Sequence, residues 1–312
     1  MKTSEIITFR KQRELGQIIG DTFKFLRKNI KSIAKLLMRT SLIPFVLLLV
    51  SAAFYAYASA GLNAFSWAQD GFNSLNIGSI LISLFAMFAS IVIYTATLYG
   101  SISEYIKAYT IQNGAPEIED VMTSYKKKMG SYIGLGFAQV LLLAGVAILC
   151  MLPGFLLINV SVVLGVMLIL LGFVAILYFA IRWSVIYQAM THSDMSITDS
   201  FYESGRLIKE FWWITFFTII VQTVLIYVIN ITFQIPMLIY VMTKTILLSQ
   251  EGSLSDPSQV IDWVFILLQT IANAASYILY IVMAITYNLI FFNLSEHKTQ
   301  SGSLAEIDTI GN

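Results

Sequence analysis

The sequence predicts an all-α integral membrane protein with six transmembrane helices and both termini in the cytoplasm. Three observations carry this. Hydrophobic residues make up 57% of the 312 and charged residues only 12%, with a mean hydropathy of +0.77; soluble domains usually carry about 25% charged residues. The apolar residues gather into runs long enough to span a bilayer, which takes about 20 residues. Lysine and arginine fall almost wholly on one side of those runs, the bias that sets orientation.

The elements follow in order. A polar stretch precedes the first run, which is therefore expected to remain as an uncleaved anchor. The first span is read at about 37–59, with Pro44 placed to kink its first two turns. The second is read at 77–99 and continues as a more polar helix through Tyr105 and Tyr109. Residues 137–181 hold 45 positions without a charge, enough for two spans. Pro153-Gly154 is the strong breaker pair inside them, so the hairpin is placed there, between spans at 131–151 and 157–181. The fifth span is read at 211–234, and 236–249 is either an outer interfacial helix or a kinked continuation. The sixth is read at 263–291; residues 1–293 form one polytopic domain and 294–312 a polar cytoplasmic tail.

Orientation follows from the cations. The segment to Arg39 holds ten; Lys107, Lys126, Lys127 and Lys128 follow the second span; Arg182, Arg206 and Lys209 follow the fourth; Lys298 follows the sixth. Lys244 alone falls on the other side. The tryptophans agree, because the indole prefers headgroup depth: Trp183, Trp212 and Trp213 at the inner boundary, Trp67 and Trp263 at the outer. The reading is a multi-pass protein of the cytoplasmic (inner) membrane of a prokaryote.

Each odd-numbered span is preceded by an amphipathic segment expected to lie in the cytoplasmic interface. In the first, Leu15, Ile18, Ile19, Thr22, Phe23, Leu26 and Ile30 keep helical spacing, with Asp21, Lys24, Lys28 and Lys31 opposite. Such a helix turns its apolar side to the bilayer and its lysines to anionic headgroups. The segment before the fifth span aligns with it without gaps, Asp21 on Glu203, Thr22 on Ser204, Lys24 on Arg206, Leu26 on Ile208 and Arg27 on Lys209. EIEDVMTSYKKKMGSY, before the third span, is a weaker third copy. Lys24, Arg27, Lys28, Lys31, Arg206 and Lys209 are the expected headgroup contacts. Asp21 and Arg27, with Glu203 and Lys209, are where these helices are expected to tie together.

The stretch Glu14–Asn29, ELGQIIGDTFKFLRKN, resembles the opening of membrane proteins related to the membrane domain of glycerophosphoryl diester phosphodiesterases. Those typically begin with a Leu-Gly, apolar, Asp-Thr-Phe, basic-Asn segment. Arg182-Trp183 is a second point of similarity, and SFYESGRLIK (Ser200–Lys209) leading into Phe211-Trp212-Trp213 a third. The resemblance implies an all-helical polytopic domain. It carries no catalysis over, since the chemistry of those enzymes belongs to a soluble barrel domain, and no stretch here is long enough to be one.

The chemistry-bearing residues are few. One cysteine, Cys150, and two histidines, His192 and His297, leave no disulfide framework and no Cys/His metal site in prospect. Cys150 reads as a small hydrophobe, and His192 as a loop residue beside Asp194. The net charge of +1 offers no field for nucleic acid. No carboxylate or lysine falls at mid-membrane, which argues against proton-coupled transport. Uncharged polar residues do cluster: Gln222, Asn230 and Gln234 in the fifth span, Gln269 and Asn273 in the sixth. In an antiparallel hairpin Gln222 is expected level with Asn273, and Asn230 with Gln269, as interhelical hydrogen bonds or as a polar pocket. Small residues at Ser79/Ser83, Ala86/Ser90 and Ala272/Ser276 suit close helix packing.

These observations point to a non-enzymatic membrane protein without cofactor or metal. It is expected to act as a structural, accessory or regulatory component of a membrane assembly or of lipid organisation. Its partners would be membrane lipids and other membrane subunits or further copies of itself. The alternative is a transporter or lipid-handling channel using the amide cluster.

Overall fold

The computed structural model describes residues 6–59, 77–250 and 262–299. Among these, every regular element is a helix: α1 (Leu15–Thr40), α2 (Leu42–Ala58), α3 (Ile77–Ile111), α4 (Ile118–Leu157), α5 (Val162–Arg182), α6 (Ile186–His192), α7 (Ile197–Ile208), α8 (Trp212–Gln250) and α9 (Trp263–Thr299). Five are long and apolar enough to cross a membrane: α3, α4, α5 with its continuation into α6, α8 and α9. α1 and α2 pass the same test only as a pair, and a 71° bend separates them. Trp67 lies outside the described residues.

Pro44 explains that bend. A proline ring clashes with the carbonyl four residues back, here that of Thr40, and it cannot donate to it. α1 stops at Thr40, and Pro44 falls in the first turn of α2, where a missing N–H is tolerated. The proline thus separates two helices and does not kink one. Residues 37–40, expected within the first span, belong to α1, and α2 has only 17 residues.

The hairpin expected at Pro153-Gly154 lies elsewhere. α4 runs through both residues to Leu157, and the turn occupies 158–161. Ser161 caps α5, its Oγ accepting from the Leu164 N–H at 3.4 Å. Breaking a helix leaves four unpaired groups at each new end, whereas an internal proline removes a single bond; in a bilayer the second is cheaper. Gly154 has a packing role. A Cβ there would stand 2.8 Å from the Gly165 carbonyl oxygen, and one on Gly165 would stand 2.7 Å from Ile158 Cα. The two glycines let α4 and α5 close against each other.

The same preference resolves 236–249. α8 continues through Pro236 as one helix of 39 residues. The basic segment before the third span is likewise no separate interfacial helix, but the N-terminal part of the 40-residue α4. At 1.5 Å per residue these helices reach about 60 Å, twice the roughly 30 Å of hydrocarbon in a bilayer. α9 carries on to Thr299, with Leu294 and Glu296 buried.

The chain divides into two compact units, one of residues 1–40, 96–222 and 281–312, the other of 41–95 and 223–280. The first has an aromatic core. Tyr125 and Tyr132 stack at 6.1 Å and Tyr132 and Tyr187 at 6.4 Å, around buried Leu135, Ile186 and Met190. Gly100 makes room for this, since a Cβ there would lie 2.6 Å from the Tyr132 ring. A second cluster seats the N-terminal segment: Phe9 meets Phe25 at 5.1 Å, Phe292 at 5.5 Å and Tyr109 at 5.9 Å. In the other unit Tyr94 donates to the Tyr277 carbonyl at 2.9 Å and packs on Phe45. Ser83, Ser90 and Ala272, from the small-residue pairs, are buried there.

Candidate functional site

The predicted amide cluster forms in part. Asn230 donates to Ser276 Oγ at 2.5 Å and accepts from Gln234 at 3.2 Å, and Gln269 donates to Asn273 at 3.0 Å. The expected pairing of Asn230 with Gln269 is replaced by Asn230 with Ser276. The reason is register: α8 continues to Gln250, so the connection to α9 lies later in the chain than the expected end at 234. Asn230, Gln234, Gln269 and Asn273 belong to the second unit, and Gln222 to the first. Gln222 is fully buried, and neither amide atom has a hydrogen-bond partner among the described residues.

The expected headgroup contacts are all exposed: Lys24, Arg27, Lys28 and Lys31 on α1, Arg206 on α7 and Lys209 just after it. The face α1 buries is rotated from the expected one. Ile18, Thr22, Phe25, Asn29, Ile33 and Leu36 pack inward, while Phe23 and Leu26 stay half-exposed and Ile30 exposed. Asn29 can lie inside because its amide donates to the Phe25 carbonyl at 3.0 Å and its oxygen accepts from Tyr105 at 3.3 Å. Thr22 donates to the Ile18 carbonyl at 2.8 Å and meets Thr286 at 3.2 Å. Ser204, its aligned position in α7, is also buried and donates to the Arg182 carbonyl at 2.8 Å.

The expected tie between acidic and basic positions of these helices takes another form. Asp21 pairs with Arg13 at 2.8 Å, not with Arg27. Arg13 is buried and also donates to the carbonyls of Thr8, Phe9 and Lys11. Glu203 takes Arg206 of its own helix in a two-pronged pair at 2.6 and 2.7 Å, not Lys209. A short link between neighbours on one chain segment is favoured because less side-chain freedom is lost.

Sequence reasoning missed a polar belt in the first unit. Glu104 on α3 is buried; Tyr132 donates to it at 2.7 Å and Lys128 lies 3.5 Å away. Tyr132 also meets Thr191 Oγ1 at 2.9 Å. Lys107 donates to Asp194 and to the Thr191 carbonyl, both at 2.8 Å, and Lys128 pairs with the other oxygen of Asp194. These lysines, Lys107 foremost, hold the Asp194 carboxyl below the usual carboxylate range. Asp194 sits at φ 50°, a left-handed conformation that aspartate tolerates better than most residues. A cavity of about 360 Å³ opens beside this network, lined also by Lys127, Gln112 and Asp120.

His192 is not a loop residue. It ends α6, bonds Asn288 Oδ1 through Nε2 at 2.8 Å, and packs on Phe291 and Phe292. Asn288 in turn donates to Ser103 at 3.2 Å and to the Ala284 carbonyl at 2.8 Å. One signal for the belt was present in the sequence: Glu104 and Lys107 interrupt a polar helix end, and Lys128 and Tyr132 share a face four residues apart.

Lys244, the cation expected apart from the others, pairs with Asp262 at 3.2 Å. Asp262 also accepts from Tyr240 and caps α9 through the Phe265 N–H at 3.0 Å; the Tyr240 bond first, then the cap, pull its carboxyl down to about 2. The three points of the family resemblance include two that touch: Trp183 meets Phe201 edge-on at 5.4 Å, and a Cβ on Gly205 would reach Arg182 Nε at 2.9 Å. No protein family, no curated protein and no solved structure matches this chain.

Proposed function

We propose that this chain is a non-enzymatic component of the cytoplasmic membrane of a prokaryote, with six spans and both termini inside. It acts by packing against other membrane proteins or by organising lipid. α2 with the last turn of α1 supplies the first span, and the rest of α1 and α7 lie along the inner interface. A membrane domain related to that of the glycerophosphoryl diester phosphodiesterases fits this reading.

The observation that carries it is the α4–α5 hairpin. Only 6% of the most apolar window of α4 and 11% of that of α5 is buried, against 56% for α9. Leu141, Leu149, Phe155, Val163 and Leu171 stand exposed along it. Such a surface suits lipid or a neighbouring membrane protein. Purification of the full chain in mild detergent tests this. A stable complex with another membrane protein, or with further copies, is expected; recovery only as a monomer stripped of partners and lipid would overturn it. Topology is tested in a Cys150→Ser background. A cysteine at Lys244 is expected to label from outside, and one at Lys126 only after permeabilisation.

A second reading, a transporter or lipid-handling channel, is favoured by Gln222. A buried amide without partners costs stability and calls for a functional account; on this reading a substrate supplies the missing bonds. It predicts that Gln222→Ala abolishes flux while leaving the protein folded.

A further inference from the structure

A groove of about 750 Å³ opens in the first unit between the N-terminal segment, the start of α8 and the end of α9. One wall is apolar, formed by Phe211, Ile214 and Phe217. Ile214 and Phe217 are 50% and 51% exposed. They begin a stripe on α8 that continues to Val221, also exposed. From Ile214 to Val221 the stripe rises about 10 Å, the greater part of the roughly 15 Å of hydrocarbon in one leaflet. Trp213, exposed beside it, has the side chain that settles at headgroup depth.

The other wall is polar and carries both signs of charge. Lys11 and Glu14 are exposed on it. Neither the Lys11 ammonium nor the Glu14 carboxylate has a hydrogen-bond or ion-pair partner among the described residues. Arg13, the other cation in the lining, is buried and committed to Asp21 and to backbone carbonyls. His297 stacks on Phe211 at 4.9 Å. The rim therefore presents one available cation and one available anion, at the mouth of an apolar track.

We infer that this groove is a site for a phospholipid with a zwitterionic, primary-amine headgroup. Lys11 takes the phosphate, Glu14 takes the ammonium, and one acyl chain lies along the α8 stripe. A carboxylate gains directional bonds from an ammonium with N–H donors. A trimethylammonium has none, and a purely anionic headgroup places negative charge beside Glu14. The inference deepens the proposed role in lipid organisation and rests on the orientation that puts residues 11–14 at the inner leaflet.

Native mass spectrometry of the full chain in mild detergent tests it, with phosphatidylethanolamine, phosphatidylcholine and phosphatidylglycerol of identical acyl chains. The ethanolamine lipid is expected to be retained about fivefold over the other two, the scale of one exposed ion pair. Glu14→Gln is expected to bring it down to the choline lipid and to leave phosphatidylglycerol undiminished. Lys11→Gln is expected to weaken the ethanolamine and glycerol lipids alike. Both positions are exposed, so unchanged melting temperatures accompany these changes. Equal retention of the three lipids, or ethanolamine binding insensitive to both substitutions, overturns the inference. A cysteine at Lys11, in the Cys150→Ser background, tests the orientation separately. Labelling from outside would reverse the leaflet while leaving the headgroup selectivity measured.

Discussion

The α4–α5 hairpin and α9 are both long apolar helical elements, yet they are held in opposite ways. The most apolar window of α9 is 56% buried, and α9 brings Thr286, Asn288 and Asn293 into contact with other elements through side-chain hydrogen bonds. The hairpin buries 6% and 11% of its two windows and closes on itself through Gly154 and Gly165. Composition alone makes these segments alike. The contrast teaches that polar side chains mark the helix that is tied into the protein, and small ones the pair that is merely zipped. Hydrocarbon offers little drive for burying one more leucine, so hydrogen bonds and close backbone approach decide the packing.

The largest test strikes the α9 side. Asn288 is buried and holds Ser103, the Ala284 carbonyl and His192. Asn288→Leu leaves those partners unpaired and should cost about 2–4 kcal/mol. Melting temperatures of the purified protein should show the loss, and an unchanged value would contradict the polar tie of α9.

The seam of the hairpin comes next. Gly154→Ala forces a Cβ to within 2.8 Å of the Gly165 backbone and should cost about 1–3 kcal/mol. Gly145→Ala, with nothing within 4 Å of the added carbon, should instead gain up to about 1 kcal/mol from helix propensity. If thermal unfolding ranks the two equally, the zipped seam is wrong. Gln222→Leu should raise stability by about 1 kcal/mol, because it removes a buried amide whose bonds are unmade. A clear loss would show that the amide is satisfied in the working protein. Smallest of all, Leu149→Ala on the exposed face should change stability by no more than about 0.5 kcal/mol. It should weaken partner retention only if that face is the contact.

Much of the fold was legible because the hydrophobic signal is strong and local. The long runs became α3, α4, α5, α8 and α9 because backbone groups in hydrocarbon must pair within their own segment. Proline misled at Pro44 and Pro153, and at Pro236 left two readings open, for one reason. Pro44 ends α1, while Pro153 and Pro236 sit inside continuing helices. A proline's effect depends on whether the segment has another place to satisfy its carbonyls, and sequence spacing does not record that. The belt around Glu104 stayed hidden because its members, Glu104, Lys128, Tyr132, Thr191 and Asp194, come from three separate stretches of chain. Lys107 and Lys128 were read only as topology charges, since nothing local distinguishes a paired lysine from a solvated one.

By itself the sequence determined the helical class, the number of apolar runs and which connections between them carry the cations. Each of these depends on composition within a window of chain, which hydrophobic transfer and helix periodicity act on directly. The tertiary structure alone decided which face of α1 is buried, where the α4–α5 turn falls, and that Asn230 meets Ser276. It also decided that Lys11 and Glu14 rim one groove with Phe211 and Phe217. Those outcomes depend on distances between residues far apart in the chain, which close packing fixes only when all the helices are present.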